Sequence, residues 1–262
     1  MKKIFSRREF LTLGAAAGGT LLGANIESLN PSSQNKTETP FPWEYRILDV
    51  EKTQNRAYKN YFQAGCMYGV FGSVAGQVAE DLGKPYTDFP FILSSYGGGG
   101  VAHWGSLCGT CNGAAMAVAL FHQGNLRNQL TSEIFAWYEK TELPVYTPQE
   151  PVKVEKNFEM KASQSKSTLC HTSVSRWTQA SGFSTFSPQR AERCARLVAD
   201  IAGYTVKLLN QAAKDQFSPQ TQMSAVSSVC RGCHGQGKEE AEGKKVISRM
   251  NCSVCHPNVH KK

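Results

Sequence analysis

The C-terminal part of the chain carries the motif C-x-x-C-H twice, at residues 230–234 and 252–256. In this motif two cysteine thiols can add to the vinyl groups of a haem, and the adjacent histidine can bind the haem iron. A structural zinc ion or disulfides could also use the cysteine pairs, but neither requires a histidine after each pair. The motifs therefore predict two covalent haems c per chain. The predicted attachment residues are Cys230, Cys233, Cys252 and Cys255, and the predicted proximal iron ligands are His234 and His256.

The short interval between the two motifs predicts that the haems lie close together. Only residues 234–251 separate the cysteine pairs, so two large flat macrocycles must share one small volume. A tail of this length cannot bury two haems alone, so the body or a second copy of the chain must cover them. The candidates for the remaining axial positions are His103, His122, His171 and His260, with His171 and His260 favoured, and Met223 and Met250 as alternatives.

Five of the nine cysteines lie outside these motifs, and an odd number cannot be used up in disulfides. Cys108 and Cys111 fall at the start of a predicted helix, where the helix dipole favours a thiolate. Thiolates that converge from several helices can hold an iron–sulfur cluster, usually through four cysteines. Disulfides are the main alternative in an oxidising compartment. The cluster candidates are Cys66, Cys108, Cys111, Cys170 and Cys194.

Helical periodicity predicts the elements that carry these cysteines. Apolar residues recur at helical spacing over residues 56–82, 106–122 and 187–214, with Cys66 and Cys194 on inward faces. Ser106 and the pair Ser187-Pro188 are predicted to begin the second and third helices. The glycine run at 97–100 should interrupt regular structure, and strand signals are limited to short pieces such as 151–154. The chain is therefore predicted to be mainly α.

The N-terminus has the features of an export signal, with a basic start, a short apolar stretch and small residues after it. Residues 6–11 read S-R-R-E-F-L and resemble the twin-arginine signal. A membrane anchor is the alternative, but the apolar stretch of about 14 residues is shorter than the roughly 20 that span a bilayer. We therefore predict a cleaved signal at 1–30, a polar linker at 31–45, and a mature protein in the periplasm without a membrane anchor.

The charge and the route of export narrow the choice of partners and cofactors. Four basic residues in the signal raise the net charge to +8, which is otherwise mild. No cluster of Lys and Arg is interleaved with aromatic residues, so a nucleic-acid partner is not expected. Twin-arginine signals export folded proteins, whereas haem c is attached outside the cytoplasm. A cluster inserted before export gives a reason for folding first, which favours iron–sulfur over disulfides.

Taken together, these residues resemble the split-Soret cytochrome c family of sulfate-reducing bacteria. The body, from Cys66 through the segment Y-G-G-G-G-V-A-H-W-G-S-L-C-G-T-C-N-G-A-A-M at 96–116 to C-A-R-L-V-A-D-I-A at 194–202, is similar to the C_GCAxxG_C_C redox family. The segment reads C-G-T-C-N-G-A where the family name has G-C-A-x-x-G, so Cys108 and Cys111 are both candidates for that position. The resemblance implies an iron–sulfur domain at 46–216 and a dihaem segment at 217–262.

The family resemblance also implies an assembly and a function. It implies a homodimer that completes the haem domain, with nearly parallel bis-histidine haems, one axial histidine on each haem from the partner chain, and a separate [2Fe-2S] centre. The expected role is one-electron transfer between redox partner proteins in anaerobic respiration rather than catalysis. Two alternatives are a haem enzyme that reduces a small nitrogen or sulfur species at an open iron site, and a structural zinc or disulfide protein.

Overall fold

A computed structural model describes residues 39–222, 225–234 and 248–257. The predicted signal at 1–30, most of the predicted linker, Met223 and His260 lie outside these ranges. The described chain is mainly α, as predicted. In the described residues no helix is both long enough and apolar enough to cross a membrane.

Helix α1, Val50–Leu82, is the central element of the fold. Asp49 caps it, because its carboxylate accepts a hydrogen bond from the Lys52 N–H at 2.7 Å. The helix begins earlier than the periodicity predicted. It is also interrupted, since Ala64 (φ −149°, ψ 24°) and Gly65 (φ 84°, ψ −169°) leave helical geometry. Cys66 therefore begins a second helical segment instead of lying in the middle of one.

Two short 3₁₀ helices, Tyr86–Asp88 and Phe91–Gly97, follow α1. A glycine-rich loop, residues 98–107, then leads to helix α2, Gly109–Phe121. The prediction that Ser106 caps α2 is wrong, because Cys108 occupies the cap position. The Ser106 hydroxyl instead accepts a hydrogen bond from the Val101 N–H at 3.0 Å and so closes the loop.

Three further helices complete the body. Helix α3, Gly124–Lys140, was not predicted, and helix α4, Cys170–Ser181, was not predicted either. Helix α5, Pro188–Ala213, begins as predicted, with the Ser187 hydroxyl accepting from the Arg190 N–H at 3.2 Å.

The only strands in the described ranges are β1, Glu142–Leu143, and β2, Ser163–Gln164, which form an antiparallel pair. The predicted strand at 151–154 is wrong. Its N–H groups bond to side chains, with Val152 donating to the Tyr58 hydroxyl at 2.9 Å and Lys153 to the Glu192 carboxylate at 3.1 Å.

The core forms where α1 packs against α2 and α5. Two glycines allow this close approach. A Cβ at Gly69 would lie 2.5 Å from Val198 Cγ1 on α5, and a Cβ at Gly113 would lie 2.6 Å from the Met67 carbonyl oxygen on α1. Trp43, near the end of the predicted linker, is also buried, and its backbone N–H donates to the Leu120 carbonyl at 2.9 Å. The three packed helices bring their cysteines to one region of the body.

The segment after β1 is held to α5 by a buried carboxylate. Asp200 accepts the N–H groups of Val145 and Tyr146, both at 2.9 Å. Burial raises the pKa of Asp200 to about 7 from 3.8, although these two donors and the nearby charges of Arg193 and Arg196 favour the carboxylate.

This shift predicts a pH dependence of stability. A carboxyl with a raised pKa in the folded state contributes its stabilisation fully below pH 3.8 and loses it as the pH rises through about 7. The free energy of unfolding of the wild type minus that of Asp200→Asn should therefore fall across this interval, by up to about 4 kcal/mol. Urea denaturation at several pH values measures the difference. A difference that stays flat or rises would contradict the assignment to Asp200.

Candidate metal centre

Three of the five body cysteines stand at helix starts. Cys66 follows the interruption in α1, Cys108 is the N-terminal cap of α2, and Cys170 is the first residue of α4. Unpaired N–H groups and the helix dipole favour negative charge at such positions. Cys194 is placed by the first half of α5, and Cys111 lies one turn into α2. All five are free thiols.

Backbone hydrogen bonds align the starts of α2 and α4. The Cys108 N–H donates to the Thr168 carbonyl at 2.8 Å, and the Cys170 N–H donates to the Ser106 carbonyl at 2.7 Å. These bonds flank an isolated antiparallel bridge between Leu107 and Leu169. The two cysteines are therefore positioned by main-chain pairing as well as by helix packing.

Four of the thiols interact with one another. Cys170 interacts electrostatically with Cys108, Cys194 and Cys66, and Cys66 interacts with Cys194 and Cys108. The main interactions of Cys111 are instead with Cys108, Thr110 and Glu139. The structure thus brings Cys66, Cys108, Cys170 and Cys194 together, whereas Cys111 interacts with this group through Cys108.

Hydrogen bonds distinguish Cys108 from its neighbours. Thiols of Cys111 and Cys170 donate to it, the Thr110 hydroxyl lies 3.1 Å from its sulfur, and together these contacts hold the pKa of Cys108 well below its usual range. Burial raises the pKa of Cys66 and of Cys111. The pKa of Cys170 is raised first by its hydrogen bond to Cys108 and then by burial. The start of α2 therefore favours a thiolate at Cys108.

The glycine-rich loop passes directly over Cys66. The Gly99 N–H donates a hydrogen bond to the Cys66 sulfur. Gly99 (φ 61°) and Gly100 (φ 88°) adopt left-handed backbone that favours glycine. A Cβ at Gly109 would collide with the Gly97 carbonyl oxygen and lie 2.8 Å from Cys66 Cβ. The glycines therefore allow main chain to approach the sulfur atoms closely.

Two arginines of α5 place positive charge beside the thiols. Arg193 is 1% exposed, donates to the Ser173 hydroxyl at 2.9 Å, and has its Nη1 4.0 Å from Cys194 Sγ. Its Nε is buried and has no hydrogen-bond partner in the described part of the chain. Among described residues no carboxylate lies within 4.0 Å of it. Arg190 interacts with Cys194 and Cys66.

The sequence interpretation missed both arginines. Both lie just before a candidate cysteine in the segment R-A-E-R-C at 190–194. This proximity could have indicated that they belong to the cysteine site.

These residues fit an iron–sulfur cluster. Such clusters are held by cysteine thiolates, and the site offers four thiols, three helix starts and two arginines. In the described ranges no three candidate side chains already stand at metal-bonding distances. The Cys108 sulfur instead accepts hydrogen bonds from the thiols of Cys111 and Cys170. Bound iron would replace the thiol protons in these contacts.

The two C-x-x-C-H motifs also lie next to each other. The first ends helix α6, Ala225–His234, and the second includes the 3₁₀ helix Cys252–Val254. The Ser227 hydroxyl donates to the Met250 carbonyl at 3.2 Å, and the thiols of Cys230 and Cys252 interact. His256 is exposed and His234 is half-buried. The adjacent motifs agree with the expectation of closely spaced haems.

The candidate axial ligands occupy different environments. His103 and His171 are exposed near the glycine-rich loop, where a Cβ at Gly105 would lie 3.1 Å from the His171 Cβ. His122 is half-buried at the end of α2, and burial lowers its pKa. The Met250 sulfur accepts a hydrogen bond from the Thr168 hydroxyl at 3.3 Å.

Comparisons with known proteins agree with this arrangement. A family model described as a putative redox-active protein (C_GCAxxG_C_C) matches residues 71–208. The split-Soret cytochrome c of Desulfovibrio desulfuricans is 34% identical over 256 residues, covering 93% of this chain and 90% of the relative. The chain belongs to the split-Soret cytochrome c family. A solved structure of the Desulfovibrio desulfuricans split-Soret cytochrome c, described as having a novel iron centre, matches with a TM-score of 0.75 and 34% identity over 82% of this chain and 90% of that one.

The family resemblance inferred from the motifs is thereby confirmed. The matched range of the redox-active family model includes four of the five body cysteines and begins after Cys66. Cys66 is joined to the others by the fold, through the interruption in α1 that turns its thiol towards Cys194 and Cys108.

Proposed function

We propose that this protein is a periplasmic dihaem cytochrome c with an additional iron–sulfur centre, and that it transfers single electrons in anaerobic respiration. The observation that carries the proposal is the meeting of four thiols from four separate segments beside a buried arginine that has no carboxylate within 4.0 Å in the described part of the chain. Family membership supports the cytochrome part, and the relative's iron centre supports the second cofactor.

The ligands of the iron–sulfur centre are Cys66, Cys108, Cys170 and Cys194 in this proposal. Cys111 is excluded because its thiol faces Thr110 and Glu139 and supports Cys108 through a hydrogen bond. Four thiolates suit a [2Fe-2S] cluster. The Gly99 N–H would continue to donate to the Cys66 sulfur, and such bonds to ligand sulfur influence the reduction potential.

Electrostatics favours an anionic cofactor at this site. A buried guanidinium without a carboxylate partner is unfavourable because its desolvation is not offset. Arg193 lies beside Cys194, has no carboxylate within 4.0 Å among the described residues, and interacts with Asp200 only at longer range. Arg190 adds a second positive group. A cluster held by four thiolates carries net negative charge and would compensate both arginines.

The haems occupy the tail, with His234 and His256 as proximal ligands and a homodimer completing the second axial positions. Exposed residues around His103 support this assembly, since Tyr96, Val101 and Trp104 are 51%, 40% and 87% exposed. Apolar groups on this scale at a surface mark interaction sites. His171 is exposed at the start of α4, next to the same loop. It remains the favoured body histidine for a partner's haem, with His260 as the tail candidate.

Spectroscopy of the purified protein tests the proposal. We expect a haem c absorption spectrum, two haems per chain by mass, and an additional electron paramagnetic resonance (EPR) signal when the potential is lowered. A colourless protein would overturn the haem assignment, and haem without a further iron signal would overturn the cluster assignment. Binding of carbon monoxide to the reduced native protein would favour the alternative of an enzyme with an open iron site.

A further inference from the structure

One residue contacts both the cysteine site and the haem-bearing tail. The Thr168 carbonyl accepts the N–H of Cys108 at 2.8 Å, and the Thr168 hydroxyl donates to the Met250 sulfur at 3.3 Å. Met250 lies two residues before Cys252 in the chain, and the Cys252 thiol lies 3.8 Å from the Met250 carbonyl oxygen. Thr168 thus stands between a proposed cluster ligand and a proposed haem attachment residue.

Met250 is also where the two pieces of the tail meet. Its carbonyl accepts the hydroxyl of Ser227 from α6 at 3.2 Å, while its sulfur rests against Thr168. A second contact joins the tail to the body through Arg249, which donates to the Ser132 hydroxyl on α3 at 2.8 Å. These contacts dock the tail on the side of the body from which α2 and α4 start.

Local structure fixes Thr168 in this position. It is 6% exposed, and the adjacent bridge between Leu107 and Leu169 pins the segment to the start of α2. The Ser167 hydroxyl accepts the Leu169 N–H at 3.2 Å and so supports the same turn. A hydroxyl held by this backbone can donate to Met250 without losing much side-chain freedom.

We propose that Thr168 and Met250 form the electron route between the iron centre and the haem attached at Cys252. The inference rests on the function proposed above. With both cofactors bound, one electron would pass from the reduced cluster held by Cys108 to the oxidised haem held at Cys252. The cluster would be oxidised and the haem reduced, with no bond formed and no proton moved. Met250 in this assignment is a docking residue and not an axial haem ligand.

The test compares two variants and one control. Thr168→Val removes the hydroxyl and keeps both the shape and the carbonyl that Cys108 uses. Met250→Leu removes the sulfur acceptor. Thr178→Val is the matched control, since the Thr178 hydroxyl bonds only within α4, to the Ser175 carbonyl at 2.9 Å, among the described residues.

Pulse radiolysis of the full protein measures how fast an electron redistributes between the cluster and the haems. We expect the rate constant to fall about fivefold in Thr168→Val and in Met250→Leu, as for loss of one coupling hydrogen bond, with no further fall in the double variant. The control should match the wild type. Equal rates in all proteins would overturn the proposal.

Two further measurements keep the outcomes distinct. EPR and absorption spectra of each variant should match the wild type, which shows that both cofactors are present and that the altered rate concerns the route alone. Wild-type protein without one of these signals would contradict the proposed function instead. Limited proteolysis between the body and the tail should be faster in both variants than in the control, and loss of a methionine-ligation band in Met250→Leu would contradict the docking role.

Discussion

The variant Cys108→Ala should lose the iron–sulfur centre and keep both haems. Hydrogen bonds from Cys111 and Cys170 hold the pKa of Cys108 well below its usual range. Removing it takes away one of four ligands and the thiolate that the start of α2 stabilises. Non-haem iron should fall to background in metal analysis, and the cluster signal should vanish from the EPR spectrum.

The matched control for this variant is Cys111→Ala. Both cysteines lie at the start of α2, three residues apart and buried, so the two substitutions delete the same atoms from similar surroundings. Cys111→Ala should keep its full content of non-haem iron and cost about 1–2 kcal/mol of stability from the small cavity. Loss of the cluster in Cys111→Ala with retention in Cys108→Ala would reverse the ligand assignment.

The second large effect is expected from Arg193→Met. The substitution should lower the reduction potential when the cluster is present and raise the stability of the protein when the cluster is absent. With the cluster present, loss of the guanidinium beside Cys194 removes a positive charge that stabilises the reduced form. The reduction potential should then fall by on the order of 100 mV, as for a charge several ångströms away in a protein interior. An EPR titration against potential measures this shift.

Without the cluster, the same substitution should stabilise the protein. In the Cys108→Ala background Arg193 is a buried charge without a carboxylate within 4.0 Å among the described residues. Replacing it by an apolar side chain of similar length should then raise the free energy of unfolding by about 1–4 kcal/mol. Arg127→Met, at an exposed position of α3, controls for the change of net charge. Destabilisation in both backgrounds would show that Arg193 has a purely structural role.

The sequence alone was enough to predict features that depend on the types and spacing of a few neighbouring residues. The haem motifs, the helix start near Cys108 and the Ser187 cap of α5 are all local patterns. The structure confirms the Ser187 cap and places the start of α2 at Cys108, two residues after the predicted cap at Ser106. Mainly helical architecture also followed from periodicity. Each of these features depends on a few consecutive residues.

Features that depend on tertiary contacts were not predictable in the same way. The interruption at Ala64 and Gly65 was hidden because the apolar period of α1 continues through it. Helix α3, which begins at Gly124, was not predicted at all. Helix α4 buries only Ser173 and Trp177, which is too weak a stripe to identify from sequence. Nothing in the local sequence distinguishes Arg193 from an exposed arginine, and it is buried only because the helices pack around it.

The four proposed cluster ligands differ from the haem motifs in how they come into existence. Each C-x-x-C-H unit is continuous in sequence and can be chemically modified in a chain that has not folded. The set formed by Cys66, Cys108, Cys170 and Cys194 exists only after the interruption in α1, the starts of α2 and α4, and the first half of α5 have met. The iron–sulfur site would therefore be lost whenever the body unfolds, whereas the haem attachment residues would remain together in the unfolded chain.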